Sequence, residues 1–169
     1  MKVTVTPASE ADRAVIARLM PLYIHDFSEF MPGRAEVALG EDGRYPDYPL
    51  DPYWREPGHS PLLIRAEGKL AGFALINTKG HAGLHVDHNL AEFFVARGLR
   101  RDGVGTAAVH AIVAVRPGQW EVSVGRRNTQ AQSFWRRVTA SCPGVRGLEE
   151  QDRDDAAWNG LVIRFRVEA

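Results

Sequence analysis

Apolar residues near the start of the chain follow two different spacings in succession. Val3 and Val5 alternate with polar neighbours across residues 2–6, which is typical of a half-buried strand. Beyond Ser9, a candidate helix N-cap, apolar residues recur every three or four positions. This stripe comprises Val15, Ile16, Leu19, Met20 and Tyr23. We therefore expect a strand followed by a helix whose apolar face packs on the core.

Later in the chain, short apolar runs alternate with helical patterns. Five strands are predicted, at residues 61–65, 70–76, 90–95, 120–124 and 161–167. Glu67-Gly68 supplies a tight turn between the first two. Two helices are predicted, with apolar stripes comprising Val104, Ala107, Ala108, Ala111, Ile112 and Val115 in one and Ala131, Phe134, Trp135 and Val138 in the other. This order predicts an α/β (α+β) fold, in which helices cover a mixed sheet.

Residues 27–60 are different in character, because they are rich in Pro, Gly, Asp and aromatic residues. Such a composition predicts a long loop or short helices, and long loops in compact domains often carry function. The segment contains Tyr45, Tyr48, Tyr53 and Trp54, and His25-Asp26 lies just before it. These residues either line a substrate pocket or cover part of the core.

Length and composition narrow the class of protein. A chain of 169 residues suits a single domain spanning residues 1–169, as a monomer or a homodimer. No signal-like segment and no apolar run of about 20 residues is found, so we expect a cytoplasmic protein without a membrane partner. Cys142 is the single cysteine, and the formal net charge is zero. Neither a disulfide framework nor a nucleic-acid partner is therefore expected.

The charges are unevenly distributed along the chain. Residues 21–58 contain eight acidic residues and three arginines, whereas residues 97–137 contain eight arginines and only two acidic residues. One interpretation is that the basic segment holds an anionic cofactor and the acidic segment meets a cationic substrate. The other is that both are ordinary solvated faces.

A glycine-containing loop separates the strand at 90–95 from the following helix. Gly103 and Gly105 permit close approach of an anion to the first helical N–H groups, and Arg97, Arg100 and Arg101 add positive charge beside them. This pattern predicts a phosphate-binding loop. Gly103, Gly105 and Ala108 also fit a dinucleotide-binding fingerprint, but the stretch 97–101 separates the glycines from the strand, and too little chain follows for the remaining βα units.

Two motifs in sequence order resemble the GNAT superfamily of N-acetyltransferases. The first is Arg100-x-x-Gly103-x-Gly105, and the second is Asn128-x-x-Ala131-x-x-Phe134-Trp135. The resemblance covers residues 90–138. It implies a single GNAT-like domain with a mixed, mostly antiparallel sheet whose two central strands splay apart at the cofactor site.

The resemblance also implies an activity and a cofactor site. Acetyl-CoA would be the acetyl donor, and a primary amine on a small molecule or a protein N-terminus would attack it directly in a ternary complex. The backbone of Phe94 and Val95 would pair with the pantetheine arm, and Asn128 and Phe134 would line the far side of the cofactor. The pyrophosphate would lie on the loop of Arg100, Arg101, Asp102, Gly103, Val104, Gly105 and Thr106.

Catalytic candidates follow from the chemistry of thioester aminolysis, which needs a neutral amine and a donor for the oxyanion. Glu92 is the candidate base if burial raises its pKa; otherwise it faces solvent or an arginine. The Val95 N–H is the candidate oxyanion donor. Trp135 occupies the position at which the family often has a tyrosine that protonates the leaving thiolate. Its indole N–H either hydrogen-bonds the thioester sulfur, or Trp135 is only a core aromatic residue. A non-catalytic acyl-CoA-binding module is therefore the alternative.

A histidine-rich stretch raises the question of a metal. His81, His85, Asp87 and His88 lie close together in sequence, but their spacing matches no strong zinc signature. We expect no metal site.

Overall fold

The computed structural model describes residues 1–168, which form one mixed sheet with helices on both faces. The strands are β1 (Val3–Pro7), β2 (Ser60–Ala66), β3 (Lys69–Asn77), β4 (His88–Val95), β5 (Gly118–Gly125), β6 (Val145–Asp154) and β7 (Asn159–Val167). The helices are α1 (Arg13–Ser28), α2 (Pro52–Arg55), α3 (Val104–Ala114) and α4 (Thr129–Ala140). Among the described residues, no helix has the length and apolar character needed to cross a membrane.

The strands lie in the order β1-β2-β3-β4-β5-β7-β6. Neighbouring strands are antiparallel except for β4 and β5, which run parallel. The predicted mixed, mostly antiparallel sheet is therefore confirmed. A dinucleotide-binding fold needs a largely parallel sheet, so the alternative interpretation of Gly103 and Gly105 fails on topology.

One strand, β6, was not predicted from the sequence. It lies at the edge of the sheet, where it pairs only with β7. Most of its residues are exposed, and the run from Leu148 to Asp154 has no apolar alternation. Since an edge strand with solvent near both faces buries little apolar surface, the hydrophobic pattern that marks other strands is missing.

Apolar residues pack on both faces of the sheet. One cluster joins α3 and α4 to β5 and β7 and includes Trp120, Trp135 and Phe165. A second joins α1 and the segment before β2 to the opposite face. The predicted α1 stripe contributes to it, with Ile16, Met20 and Tyr23 buried and Val15 and Leu19 partly buried. Removing such a side chain, as in Ile16→Ala, would cost about 2–5 kcal/mol.

The pairing of β4 with β5 is short, and this creates the central gap of the sheet. Only His88 with Trp120 and Asn89 with Glu121 are paired between the two strands. A bulge beside Ala91 then interrupts the register between β3 and β4. Bulges bend and twist the strand that carries them. Beyond Asn89, β4 runs on to Val95 without β5 as a partner, as expected for splayed central strands.

Candidate active site

The gap exposes alternate backbone groups of β4. The N–H of Ala96 donates to the carbonyl of Ala71 in β3 at 2.9 Å. In an antiparallel pair, residues two apart point the same way, so the backbone groups of Phe94 are directed to Phe73 of β3. Those of Val95 point to the other side, into the gap. Of the two residues expected to pair with the cofactor arm, Val95 therefore has a backbone suitably placed, whereas Phe94 does not.

The loop before α3 adopts two left-handed backbone conformations. Gly103 precedes the helix with φ 81°, and Arg101 has φ 72°, which is uncommon for a residue with a side chain. The first helical N–H groups, those of Val104, Gly105 and Thr106, have no hydrogen-bond acceptor within residues 1–168. Three free donors and the positive end of the helix dipole make this terminus suitable for an anion.

Gly105 packs closely against two aromatic rings. A Cβ added there would lie 3.3 Å from the Phe134 ring and 3.7 Å from that of Phe93. Those two rings are stacked with centroids 6.1 Å apart. The second motif is used in a similar way, because the Asn128 side-chain oxygen accepts a hydrogen bond from Ala131 N at 3.0 Å and caps α4. Asn128 therefore has a structural partner at the position expected to line the cofactor.

Two arginines of the loop before α3, Arg100 and Arg101, differ in their contacts. The Nε of Arg100 donates to the Val95 carbonyl at 2.7 Å, and its guanidinium is ion-paired with Asp26 of α1. Arg101 makes no hydrogen bond or ion pair with its side chain in the described part of the chain. The charge of Arg100 is therefore already compensated, while that of Arg101 is available to a ligand.

Glu92 lies in β4 on the face that α1 covers. Its carboxylate accepts hydrogen bonds from the hydroxyls of Tyr23, on α1, and Tyr48, the latter at 2.8 Å. Burial raises the pKa of Glu92 above its ordinary value, and the two tyrosine hydrogen bonds oppose that rise. Burial, with the nearby Glu92 charge, likewise raises the pKa of Tyr23 and of Tyr48. Glu92 is thus an oriented carboxylate whose affinity for a proton is increased.

Trp135 is buried in the core cluster between α4 and the sheet. Its ring meets Phe93 edge-on, with centroids 5.5 Å apart and planes at 70°. Its carbonyl also accepts the hydroxyl of Thr139 at 2.7 Å. These contacts place Trp135 among the aromatic residues that support the β4 side of the gap.

The histidine-rich stretch leads into β4 and is occupied by protein contacts. His85 contacts the Asp87 carboxylate at 2.9 Å, and His88 packs against Trp120. Within residues 1–168, no three His, Cys, Asp or Glu side chains are grouped so that they could hold a metal ion.

A buried ion pair that the sequence patterns did not reveal holds this same stretch in place. Glu121 of β5 has no exposed surface and pairs with Arg164 of β7 at 2.9 Å. Its carboxylate also accepts the N–H of Ala82 at 3.3 Å and that of His81. A charged pair on neighbouring strands leaves no signature in sequence spacing, because the register of the two strands brings it together.

The acidic and basic segments are not kept apart in the structure. Asp26 binds Arg97 as well as Arg100, with Arg97 Nε donating at 2.9 Å. Four of the eight acidic residues between positions 21 and 58 form ion pairs, namely Asp26, Glu36, Asp51 and Glu56. The net negative charge open to a substrate is therefore smaller than the sequence count indicates.

Comparisons with known proteins agree with this architecture. Residues 18–139 match the model of the acetyltransferase (GNAT) family. A search of curated proteins finds no match. A solved PaiA N-acetyltransferase from Thermoplasma acidophilum, in complex with coenzyme A, is 12% identical with TM-score 0.61, over 98% of this chain and 99% of that chain.

Two further solved structures share the fold at similar distances. An acetyltransferase from Thermus thermophilus is 14% identical with TM-score 0.63, covering 98% of this chain and 96% of the other. The ribosomal-protein-S18-alanine N-acetyltransferase from Escherichia coli is 11% identical with TM-score 0.55, covering 99% and 96%. At such low identities the likeness shows the fold alone, but the family model spans most of the sequence, including both motifs. The chain therefore belongs to the GNAT family of acetyltransferases.

Proposed function

We propose that this chain transfers the acetyl group of acetyl-CoA to a primary amine by direct attack in a ternary complex. The observation that carries the proposal is the gap between β4 and β5. At this gap, the backbone groups of Val95 point to the side that has no strand partner. Glu92 lies three residues earlier on the same strand, and the free N–H groups of α3 follow it in the chain.

Different groups around the gap would bind different parts of the cofactor. The Val95 carbonyl oxygen, which can accept a second hydrogen bond beside the one from Arg100, would accept from an amide N–H of the pantetheine arm, whereas Phe94 is turned toward β3. The N–H groups of Val104, Gly105 and Thr106 would hold the pyrophosphate, with Arg101 adding charge.

A groove between α3 and α4 continues from this site. It has a volume of about 560 Å³ and is lined by Thr106, Phe134, Arg137, Val138, Ala140 and Ser141. The Arg137 guanidinium makes no hydrogen bond or ion pair within residues 1–168. We assign the groove to the adenosine end of CoA, with Arg137 beside its 3′-phosphate, because a free guanidinium favours phosphate binding.

The chemical step needs few groups from the protein. Glu92 would accept the proton of the ammonium group, directly or through water, and the burial that raises its pKa increases its affinity for that proton. The amine nitrogen then forms a bond to the acetyl carbon, and the Val95 N–H would donate to the oxyanion. The carbon–sulfur bond breaks as the CoA thiolate leaves, and the second proton lost from the nitrogen passes to water or to the departing thiolate, giving the neutral amide.

Trp135 is the reason to consider the alternative function, a non-catalytic acyl-CoA-binding module. An indole N–H is a donor only and has no useful acidity, so it does not protonate a thiolate as a tyrosine would. A thiolate is stable enough near neutral pH to leave without an acid, and on this ground we favour the enzyme.

The acceptor is assigned to the class of primary amines, on a small molecule or a protein N-terminus. One structural neighbour is a ribosomal-protein-S18-alanine N-acetyltransferase, which supports keeping a protein amine among the proposed acceptors. In this chain, Tyr45 and Tyr48 lie in the irregular segment before β2. The Tyr45 hydroxyl lies 2.9 Å from Nδ1 of His25, and the Tyr48 hydroxyl donates to the Glu92 carboxylate at 2.8 Å. An acceptor that reaches Glu92 would pass these two rings.

Release of free CoA thiol, measured with acetyl-CoA and a panel of amines, tests the proposal. We expect release that depends on the amine, together with a higher melting temperature when acetyl-CoA is added. Ligand at 100 times its Kd would stabilise the fold by about 2.7 kcal/mol. Stabilisation without amine-dependent release would favour the binding module. No stabilisation by acetyl-CoA would contradict both functions.

A further inference from the structure

Three elements meet at the side chain of Arg100. Its Nε donates to the carbonyl of Val95, the last residue of β4, at 2.7 Å. Its guanidinium pairs with Asp26 near the end of α1 and lies 5.6 Å from the ring centroid of Phe94. The arginine of the first motif thus joins α1, β4 and the loop that leads to α3.

The ion pair with Asp26 compensates the charge of Arg100, although 38% of the Arg100 side chain is exposed. Only 16% of the Asp26 side chain is exposed, and Arg97 binds it too, at 2.8 Å. Although burial opposes it, hydrogen bonding to Arg100 and Arg97 lowers the pKa of Asp26, so the carboxylate is charged at neutral pH. If Arg100 turned to a phosphate, this largely buried carboxylate would lose a charged partner, which is costly.

The carbonyl that Arg100 binds lies where β4 has lost its pairing with β5. On the β3 side, Phe94 and Ala96 hold the end of β4 in register, as the bond from Ala96 to Ala71 shows. On the gap side no strand is paired with Val95. The bond from Arg100 replaces the missing strand for the Val95 carbonyl and leaves the N–H of the same residue as a donor.

We propose that Arg100 is a positioning residue and not a ligand of the cofactor phosphates. It holds the end of β4 so that the Val95 N–H stays directed into the gap, and Asp26 keeps the guanidinium in place. The phosphates then take their positive charge from Arg101 and Arg137, whose side chains are free. The inference rests on the proposed acetyl transfer and assigns a part in it to the Asp26–Arg100–Val95 contact.

Two donors distinguish the two roles, because acetyl-pantetheine has the thioester and the arm of acetyl-CoA but no pyrophosphate. We expect Arg100→Gln to lower kcat/KM about tenfold or more with both donors, since small misplacements of reacting groups are costly. Arg101→Gln should lower kcat/KM only with acetyl-CoA. A loss for Arg100→Gln that is confined to acetyl-CoA would show that Arg100 binds phosphate and would overturn the proposal.

Arg100→Lys adds a second discrimination. A lysine keeps the positive charge but not the planar fork that binds the Val95 carbonyl and Asp26 together. We expect it to behave like Arg100→Gln with acetyl-pantetheine. The matched control is Arg97→Gln, which also loses a bond to Asp26 but has no contact with Val95, and it should change kcat/KM less than twofold. Rescue by lysine, or an equal loss in Arg97→Gln, would contradict the positioning role.

A readout without substrate separates this inference from the proposed function. In a ¹⁵N–¹H correlation spectrum of the ligand-free protein, the Val95 and Ala96 amide signals should shift in Arg100→Gln and stay unchanged in Arg101→Gln. If the parent protein releases no thiol with any amine, the proposed activity fails while this spectrum still tests the contact. Unchanged Val95 and Ala96 signals in a cooperatively melting Arg100→Gln would refute it.

Discussion

Replacing Glu92 by Gln tests the proposed proton acceptor most directly. The substitution keeps the size of the side chain and one oxygen that accepts a tyrosine hydrogen bond, but it removes the carboxylate. In the parent, Tyr23 and Tyr48 donate one hydroxyl to each carboxylate oxygen. The amide nitrogen of Gln offers a donor instead, to which a tyrosine hydroxyl can turn as acceptor. The pocket should therefore remain filled and folded.

The expected loss in rate follows from the role assigned to Glu92. A positioned general base contributes about 10²- to 10⁴-fold, which at 1.36 kcal/mol per tenfold is about 2.7–5.4 kcal/mol of transition-state stabilisation. Because Glu92 does not contact the phosphate loop, acetyl-CoA affinity should stay within about twofold. The assay is thiol release with one competent amine, with acetyl-CoA binding measured separately by calorimetry.

The pH dependence gives the prediction a sign. Burial raises the pKa of Glu92, so kcat/KM of the parent should fall as pH decreases through that raised pKa and the base becomes protonated. In Glu92→Gln this acidic limb should be absent. For stability the sign is opposite, because a carboxyl group with a raised folded-state pKa favours folding at low pH and loses that contribution as pH rises through its folded pKa. Full activity of Glu92→Gln with an unchanged pH profile would refute the reasoning, and water would then be the base, because Asp26 is ion-paired with two arginines that lower its pKa.

Four other outcomes are expected. Trp135→Phe keeps an aromatic ring against Phe93 and should reduce kcat far less than Glu92→Gln, because the thiolate leaves without an acid; a comparable loss would indicate that the indole N–H acts on the sulfur. Gly105→Val should weaken acetyl-CoA binding and cost about 1–3 kcal/mol of stability by crowding Phe134, whereas Gly98→Val, with no atom within 4 Å of its added Cβ, should be nearly neutral. Arg137→Gln should raise the Kd of acetyl-CoA but not that of its analogue without the 3′-phosphate; equal effects would remove Arg137 from that phosphate. Cationic amines should be turned over faster at low salt than at high salt. The difference should be modest, because half of the acidic residues between positions 21 and 58 are ion-paired. Equal turnover of cationic and anionic amines would show that charge does not determine the acceptor.

Local patterns were sufficient where a segment carries its own signal. The stripe of Ile16, Met20 and Tyr23 predicted α1, because a helix buried on one face repeats its apolar residues at the helical period. Gly103 and Gly105 predicted a turn that opens a helix, and Gly103 does precede α3 with a positive φ, a conformation that favours glycine. That this loop binds phosphate stays a prediction. The edge strand β6 was missed because it buries too little apolar surface to have a pattern.

The assignment of roles within the site depended on the tertiary structure. Arg100 was expected to add positive charge at the loop before α3. In the structure it is ion-paired with Asp26, which lies 74 positions earlier in the sequence. Phe94 and Val95 were expected to act alike, and the register with β3 separates them. Tyr48 and Glu92 are 44 positions apart in the sequence, and the fold brings the Tyr48 hydroxyl to the Glu92 carboxylate. Sequence periodicity indicates which face of a helix or strand is buried. It contains no information about which distant residue contacts that face.

The sequence by itself determined the elements other than β6, the family and the glycine-containing loop before α3, because helical and strand periods, glycine geometry and motif spacing are all local properties. The tertiary structure alone decided which charges are already compensated, which backbone groups of β4 face the gap and what surrounds the Glu92 carboxylate. These properties arise from pairing between residues far apart in the chain. Their energies depend on burial and distance, which exist only once the sheet has assembled.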